Sequence, residues 1–158
     1  MNKRIFIILP YKESLKPSLA GAVSIYVNDT TNLSKYNKKI KIISSDNNPK
    51  KRLFKNKNYI LDFCKKYYRN KIDIIEIHNR PEYLPHIKEY FPKTKIILYF
   101  HNNPLTMRFS SSINEREFII NNTDKIIFIS TWIQQKFYTG LKNVDISKSD
   151  IVYHSINK

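Results

Sequence analysis

Ile96-Ile97-Leu98-Tyr99-Phe100 is an unbroken apolar run, rich in β-branched and aromatic residues and too short for an independent helix, and it opens directly into His101-Asn102-Asn103-Pro104. Such a run reads as a strand covered on both faces. A covered strand requires helices above and below a sheet. An ionisable side chain at its carboxyl end stands where open α/β sheets bind ligands.

The pattern recurs along the chain. Arg4 to Leu9 is a short apolar run stopped by Pro10, and Lys39–Ser44, Ile72–Ile77, Asp124–Ser130 and Asp150–Ile156 supply further strands. Between them lie helical segments. Val23, Tyr26, Val27, Thr30 and Leu33 fall at spacings of three and four, on one face. Ile60, Leu61, Cys64, Tyr67 and Tyr68 share a face of a helix from Tyr59 to Arg69. A third helix carries Pro81 in its first turn and runs through Tyr90, and Ile113–Asn122 and Thr131–Tyr138 complete the set. Asp46–Lys57, with Asn47, Asn48 and Pro49, reads as an exposed connection, and Asn102–Ser112 as a long polar loop.

Strands alternating with helices imply right-handed crossovers. The expected fold is α/β: a Rossmann-like, doubly wound, mostly parallel sheet of about six strands with helices on both faces, formed by residues 1–158 as one domain. The loops after the first, third, fourth and fifth strands then converge on the carboxyl edge. This gathers Gly21, His78 to Arg80, His101 to Asn103 and Ser130.

Charge narrows the partners. Lys and Arg total 28 against 13 Asp and Glu, a formal net charge of +15, so the long-range field favours anions: nucleic acid, an anionic membrane surface or phosphorylated substrates. Basic clusters such as Lys50-Lys51-Arg52 and Lys65-Lys66 would meet them. The single cysteine, Cys64, allows no internal disulfide and fits a reducing compartment. The apolar run near the amino terminus ends at Pro10 without a small-residue cleavage site, and reads as a strand rather than a leader. No other stretch approaches the roughly 20 apolar residues of a spanning helix. The expectation is a cytoplasmic protein, soluble or peripheral at the inner face of the cell membrane.

Gly21 precedes the first helix after a strand, where backbone N–H groups and the helix dipole favour an anion and a missing Cβ permits close approach. The dinucleotide G-x-G-x-x-G fingerprint and the G-x-x-x-x-G-K-[ST] phosphate loop are both absent, which argues against dinucleotide oxidoreductases and P-loop enzymes. His101 can donate and accept hydrogen bonds near physiological pH. Next to His78 and Asn79, Arg80 is the better anion ligand, because its fork can hold two oxygens at once. His86 and His154 are assigned no chemistry. No metal-ligand cluster is evident.

With these landmarks in order, the chain resembles the amino-terminal domain of GT-B-fold glycosyltransferases, specifically the retaining family 4. The resemblance rests on Ala20-Gly21-Ala22, I-I-E-I-H-N-R-P at Ile74 to Pro81, I-L-Y-F-H-N at Ile97 to Asn102, D-K-I-I-F-I-S at Asp124 to Ser130 and I-V-Y-H-S-I-N at Ile151 to Asn157. It implies transfer of a sugar from a nucleotide-sugar donor to a surface-glycan, lipopolysaccharide or lipid-linked acceptor. His101 would be catalytic, Gly21 and Ala22 would face the donor diphosphate, and Asn79, Arg80, Asn102 and Asn103 would line the acceptor side. No cofactor is implied. The family's second, donor-binding domain is expected beyond this chain or on a partner subunit. The competing reading is a non-enzymatic basic binding module for nucleic acid or an anionic surface, or an inactive fragment. The absence of RNA-binding and helix-turn-helix signatures ranks nucleic acid below other anions.

Overall fold

The structure is a computed structural model that describes residues 4–47, 56–142 and 145–154. Six strands, β1 (Ile5–Ile8), β2 (Ile40–Ile43), β3 (Ile74–His78), β4 (Lys95–Phe100), β5 (Lys125–Phe128) and β6 (Ser149–Ile151), pair in parallel in the order β2-β1-β3-β4-β5-β6. Five helices connect them: α1 (Ala22–Leu33), α2 (Asn56–Tyr67), α3 (Leu84–Tyr90), α4 (Ile113–Asn122) and α5 (Thr131–Tyr138). This is the expected Rossmann-like α/β sheet, parallel throughout.

The strand order explains how the helices divide. The chain steps from β1 out to β2, then returns past β1 to β3 and continues in that direction. With right-handed crossovers, that reversal puts α1 on one face and α2 to α5 on the other. Registered row by row, Ile8, Ile77, Leu98 and Ile126 lie side by side, all fully buried, beneath α2 to α5. Truncating one of these, as in Leu98→Ala, costs about 2–5 kcal/mol.

The adjacent row faces the other way. Ile7, Glu76, Ile97 and Lys125 are in register there, and the smaller cluster of Ile5, Ile7, Leu9, Val23 and Val27 is what α1 covers. One face is thus apolar across the sheet, and the other turns polar from β3 onward.

Several local expectations shift. Leu33, expected on the buried face of α1, is 81% exposed. A 12-residue helix spans about 18 Å and a four-residue strand about 13 Å, so α1 outruns the strands it covers and its final residue, Leu33, is left in solvent. Tyr68 lies just beyond α2 and is exposed, while Phe63 takes a core position on that helix. Pro81 opens a single 3-10 turn, Pro81–Tyr83, that leads into α3. The sixth strand ends at Ile151, so His154 lies outside it. Lys50-Lys51-Arg52 and most of the Asp46–Lys57 connection lie outside the described residues.

α4 begins with a reciprocal cap between Ser112 and Glu115, each side chain bonded to the other's backbone N–H. Arg116 in its first turns is buried, and its guanidinium donates to the carbonyls of Ser110, Ser111 and Thr139. This cation is spent on the interior.

Candidate functional site

The carboxyl edge brings together three histidines from separate parts of the chain. β3 ends in His78 and β4 leads directly into His101, while His154 follows β6. His78 Nδ1 is 2.9 Å from His101 Nε2, and His101 Nδ1 is 3.1 Å from His154 Nε2. The rings are packed as well as bonded. Tyr99 stacks on His78 at 4.4 Å, and Tyr26 of α1 stacks on His154 at 4.2 Å.

The turn after β3 fixes this arrangement. Asn79 adopts φ 57°, a left-handed conformation that asparagine tolerates better than most residues. Its N–H donates to the Tyr99 carbonyl and its side-chain oxygen accepts from the His101 N–H. His78 and His101 are buried, whereas His154 is exposed. Burial, reinforced by the neighbouring His78 and His154 imidazoles, pushes the His101 pKa down to about 2. His101 is neutral at physiological pH. Burial and His78 also lower His154.

The other residues singled out in the sequence are placed separately. Gly21 is the N-cap of α1, and the anion at that helix terminus is the chain's own Glu13, whose carboxylate accepts from the N–H groups of Gly21 and Ser24 and from the Ser24 hydroxyl. A Cβ on Gly21 would stand 2.5 Å from that carboxylate, so the missing side chain serves the contact with Glu13. Ala22 is the first residue of α1. Arg80 donates to the Asn79 carbonyl and lies 3.9 Å from Glu82. Asn103 caps the 3-10 turn Pro104–Thr106, Asn102 is exposed beside it, and Ser130 caps α5. Among the described residues no three His, Cys, Asp or Glu side chains form a group able to hold a metal ion. Nor is any described helix long and apolar enough to cross a membrane.

His154 was missed because its strand was read as longer than it is and its role could not be seen from spacing. The usable signal was its position after the last strand of a parallel sheet, on the edge where His78 and His101 also lie.

The opposite, amino edge carries a group of exposed lysines. Helix carboxyl termini favour cations, and the last turns of α2 and α3 supply Lys65, Lys66 and Lys88. Between these helix ends and the starts of β3 and β4 runs an open groove of about 570 Å³. Lys71, Lys93 and Lys95 line it with Tyr68, Tyr90 and Phe91. All three lysines are exposed. The Arg69 guanidinium stands 5.2 Å over the Tyr68 ring and extends the same surface. One acid, Asp73, is in the wall, where its carboxylate accepts from the Arg4 N–H. The exposed charge of this edge favours anionic partners.

Sequence reading singled out runs of adjacent lysines and passed over this set. Lys71 and Lys93 are far apart in the chain, and they meet because β3 pairs with β4 in the register Ile74 to Lys95.

A comparison with protein families covers most of both edges, His78 and His101 included. The model described as "Amyloid A4 N-terminal heparin-binding" matches residues 22–109, just over half of the chain. By that match the chain belongs to this family. The amyloid A4 N-terminal heparin-binding match runs from the start of α1 to the loop after β4. It therefore includes the whole amino-edge groove, and it leaves out β1, which pairs between β2 and β3, as well as β5 and β6. The sheet is a larger unit than the matched segment. No curated protein matches the chain.

This match overturns the glycosyltransferase resemblance, and with it the transferase activity and the lipopolysaccharide-synthesis setting. The reason the resemblance misled is physical. Its landmarks were strand ends and helix starts, which any doubly wound parallel sheet places in the same order.

Proposed function

We propose that this protein is a non-enzymatic module that binds a sulfated polysaccharide of the heparin class in the amino-edge groove. The observation that carries the reading is the pairing of lysines with aromatic walls: Lys71, Lys93 and Lys95 stand around Tyr68, Tyr90 and Phe91, inside the segment that matches the heparin-binding family. Lysine ammonium groups are compact point charges suited to sulfate oxygens. Aromatic faces offer apolar area to the C–H face of a sugar ring. The groove is open, as a polymer threading through it requires, and the net charge of +15 adds steering over longer range.

The test compares retention of the protein on immobilised heparin with retention on a sulfonate cation exchanger of matched charge density. Binding in the groove predicts elution from heparin at distinctly higher NaCl than from the exchanger, and loss of that difference in the Lys71→Glu, Lys93→Glu, Lys95→Glu variant. Equal elution salts on the two columns, or a variant retained like the parent, would reject the reading in favour of net charge alone.

A further inference from the structure

Beneath α1, on the polar face of the sheet, is a cavity of about 130 Å³ that the polysaccharide reading does not use. Its chemistry is the opposite of the groove's. Glu76 projects into it from mid-strand, with a carboxylate oxygen 3.7 Å from His78 Nε2. Neither Lys nor Arg lines it. Two buried polar atoms in its wall, His78 Nε2 and Thr31 Oγ1, have no hydrogen-bond partner among the described residues, and His78 is only 1% exposed. Unpaired buried polar atoms are costly, commonly about 1–3 kcal/mol each, so two in one small cavity point to an occupant. Tyr26 and Tyr99 complete the wall. Burial and the Glu76 charge both raise their pKa values, so these rings remain neutral.

We infer that this cavity is a binding site for a small primary amine in its ammonium form. An ammonium carries three N–H donors, and the residues around the cavity carry three acceptors: the Glu76 carboxylate, His78 Nε2 and Thr31 Oγ1. The volume suits a ligand of about four water-sized groups. A divalent metal fits less well, because the cavity supplies only one carboxylate and one imidazole.

The histidine chain accommodates the tautomer the site needs. For His78 Nε2 to accept, its proton must sit on Nδ1, from which it is donated to His101 Nε2. Neutral His101 then holds its own proton on Nδ1 and donates to His154 Nε2. In this tautomer the His78 Nε2 lone pair lies on the side of Glu76. The carboxyl-edge imidazoles thus act on the cavity as positioning groups.

Titration calorimetry with methylammonium chloride tests this, with tetramethylammonium chloride, which has no N–H donor, and zinc chloride as comparisons. Nitrogen-15 spectra of the histidine rings place the site. The expected result is saturable methylammonium binding that shifts His78 Nε2, weakens about tenfold or more in Glu76→Gln and is weakened in Thr31→Val. Tetramethylammonium should not bind. The two variants alter different walls, so a folding defect in one leaves the other to decide, and circular dichroism identifies the defect. Absence of saturable methylammonium binding would mean a hydrated cavity only and would overturn the inference. So would zinc binding without methylammonium binding, or undiminished binding in both variants. None of these results bears on heparin retention, since Glu76 and Thr31 lie outside the groove.

Discussion

At the carboxyl edge three imidazoles are hydrogen-bonded to one another and two of them are shut away from solvent, whereas at the amino edge three lysines stand in solvent around an aromatic wall. The same sheet builds both, and the difference comes from what each edge does with its polar groups. Where strands end, the turn at Asn79 and the stack of Tyr26 on His154 fold the polar groups inward, and His101 loses its charge to burial. Where strands begin, helix carboxyl termini favour cations that remain hydrated and free to meet a partner. The inward edge holds protons in place, and the outward edge recruits anions.

The largest effect that would break this contrast is at the amino edge. Reversing Lys71, Lys93 and Lys95 to Glu together should weaken heparin binding about 100-fold, about 1 kcal/mol for each reversed charge, as measured by surface plasmon resonance at low salt. The same variant should show a shallower dependence of log Kd on log salt, because fewer ionic contacts remain to be screened.

The next effect belongs to the carboxyl edge and appears in stability. His101 has an ordinary pKa of 6.5 and a folded value near 2, so between those values the unfolded chain binds a proton that the folded one refuses. Stability contributed by neutral His101 is therefore complete above about pH 6.5 and is lost as pH falls toward 2, by up to about 1.4 kcal/mol per pH unit. Urea midpoints measured from pH 7 to pH 4 should fall steeply, and less steeply in His101→Phe. Equal slopes would show that His101 is not held neutral.

Smaller effects sharpen the division. Tyr68→Ala should weaken heparin binding only a few-fold, about 0.5–1 kcal/mol, because it removes one exposed ring and the support of Arg69 while leaving every lysine in place. His101→Ala should leave heparin retention unchanged, since the imidazoles and the groove occupy opposite edges. A marked fall in retention for that variant, with the fold intact by circular dichroism, would join the two edges into one site.

Much of the scaffold was legible in the residues. The helices Ile113–Asn122 and Thr131–Tyr138 stand as the periodicity predicts, and Lys95–Phe100 is a buried central strand of a parallel sheet. The convergence of His78 and His101 on one edge also followed from topology. Exposed Leu33 was misplaced because periodicity gives the face of a helix but not how far the helix runs past the strands it covers, and Tyr68 because α2 ends one residue before it.

The sequence by itself determined the alternation of apolar runs and amphipathic helices, the excess of cations and the single cysteine, because these depend on local pattern and on counting. Only the tertiary structure decided which polar groups meet. Strand order and register placed Lys71 beside Lys93 and Lys95, carried His154 to His101, and brought α1 over Glu76 and His78. The physical reason is that parallel pairing joins residues separated by a whole crossover, and a side chain acquires its charge state and partners from the neighbours that the crossover delivers.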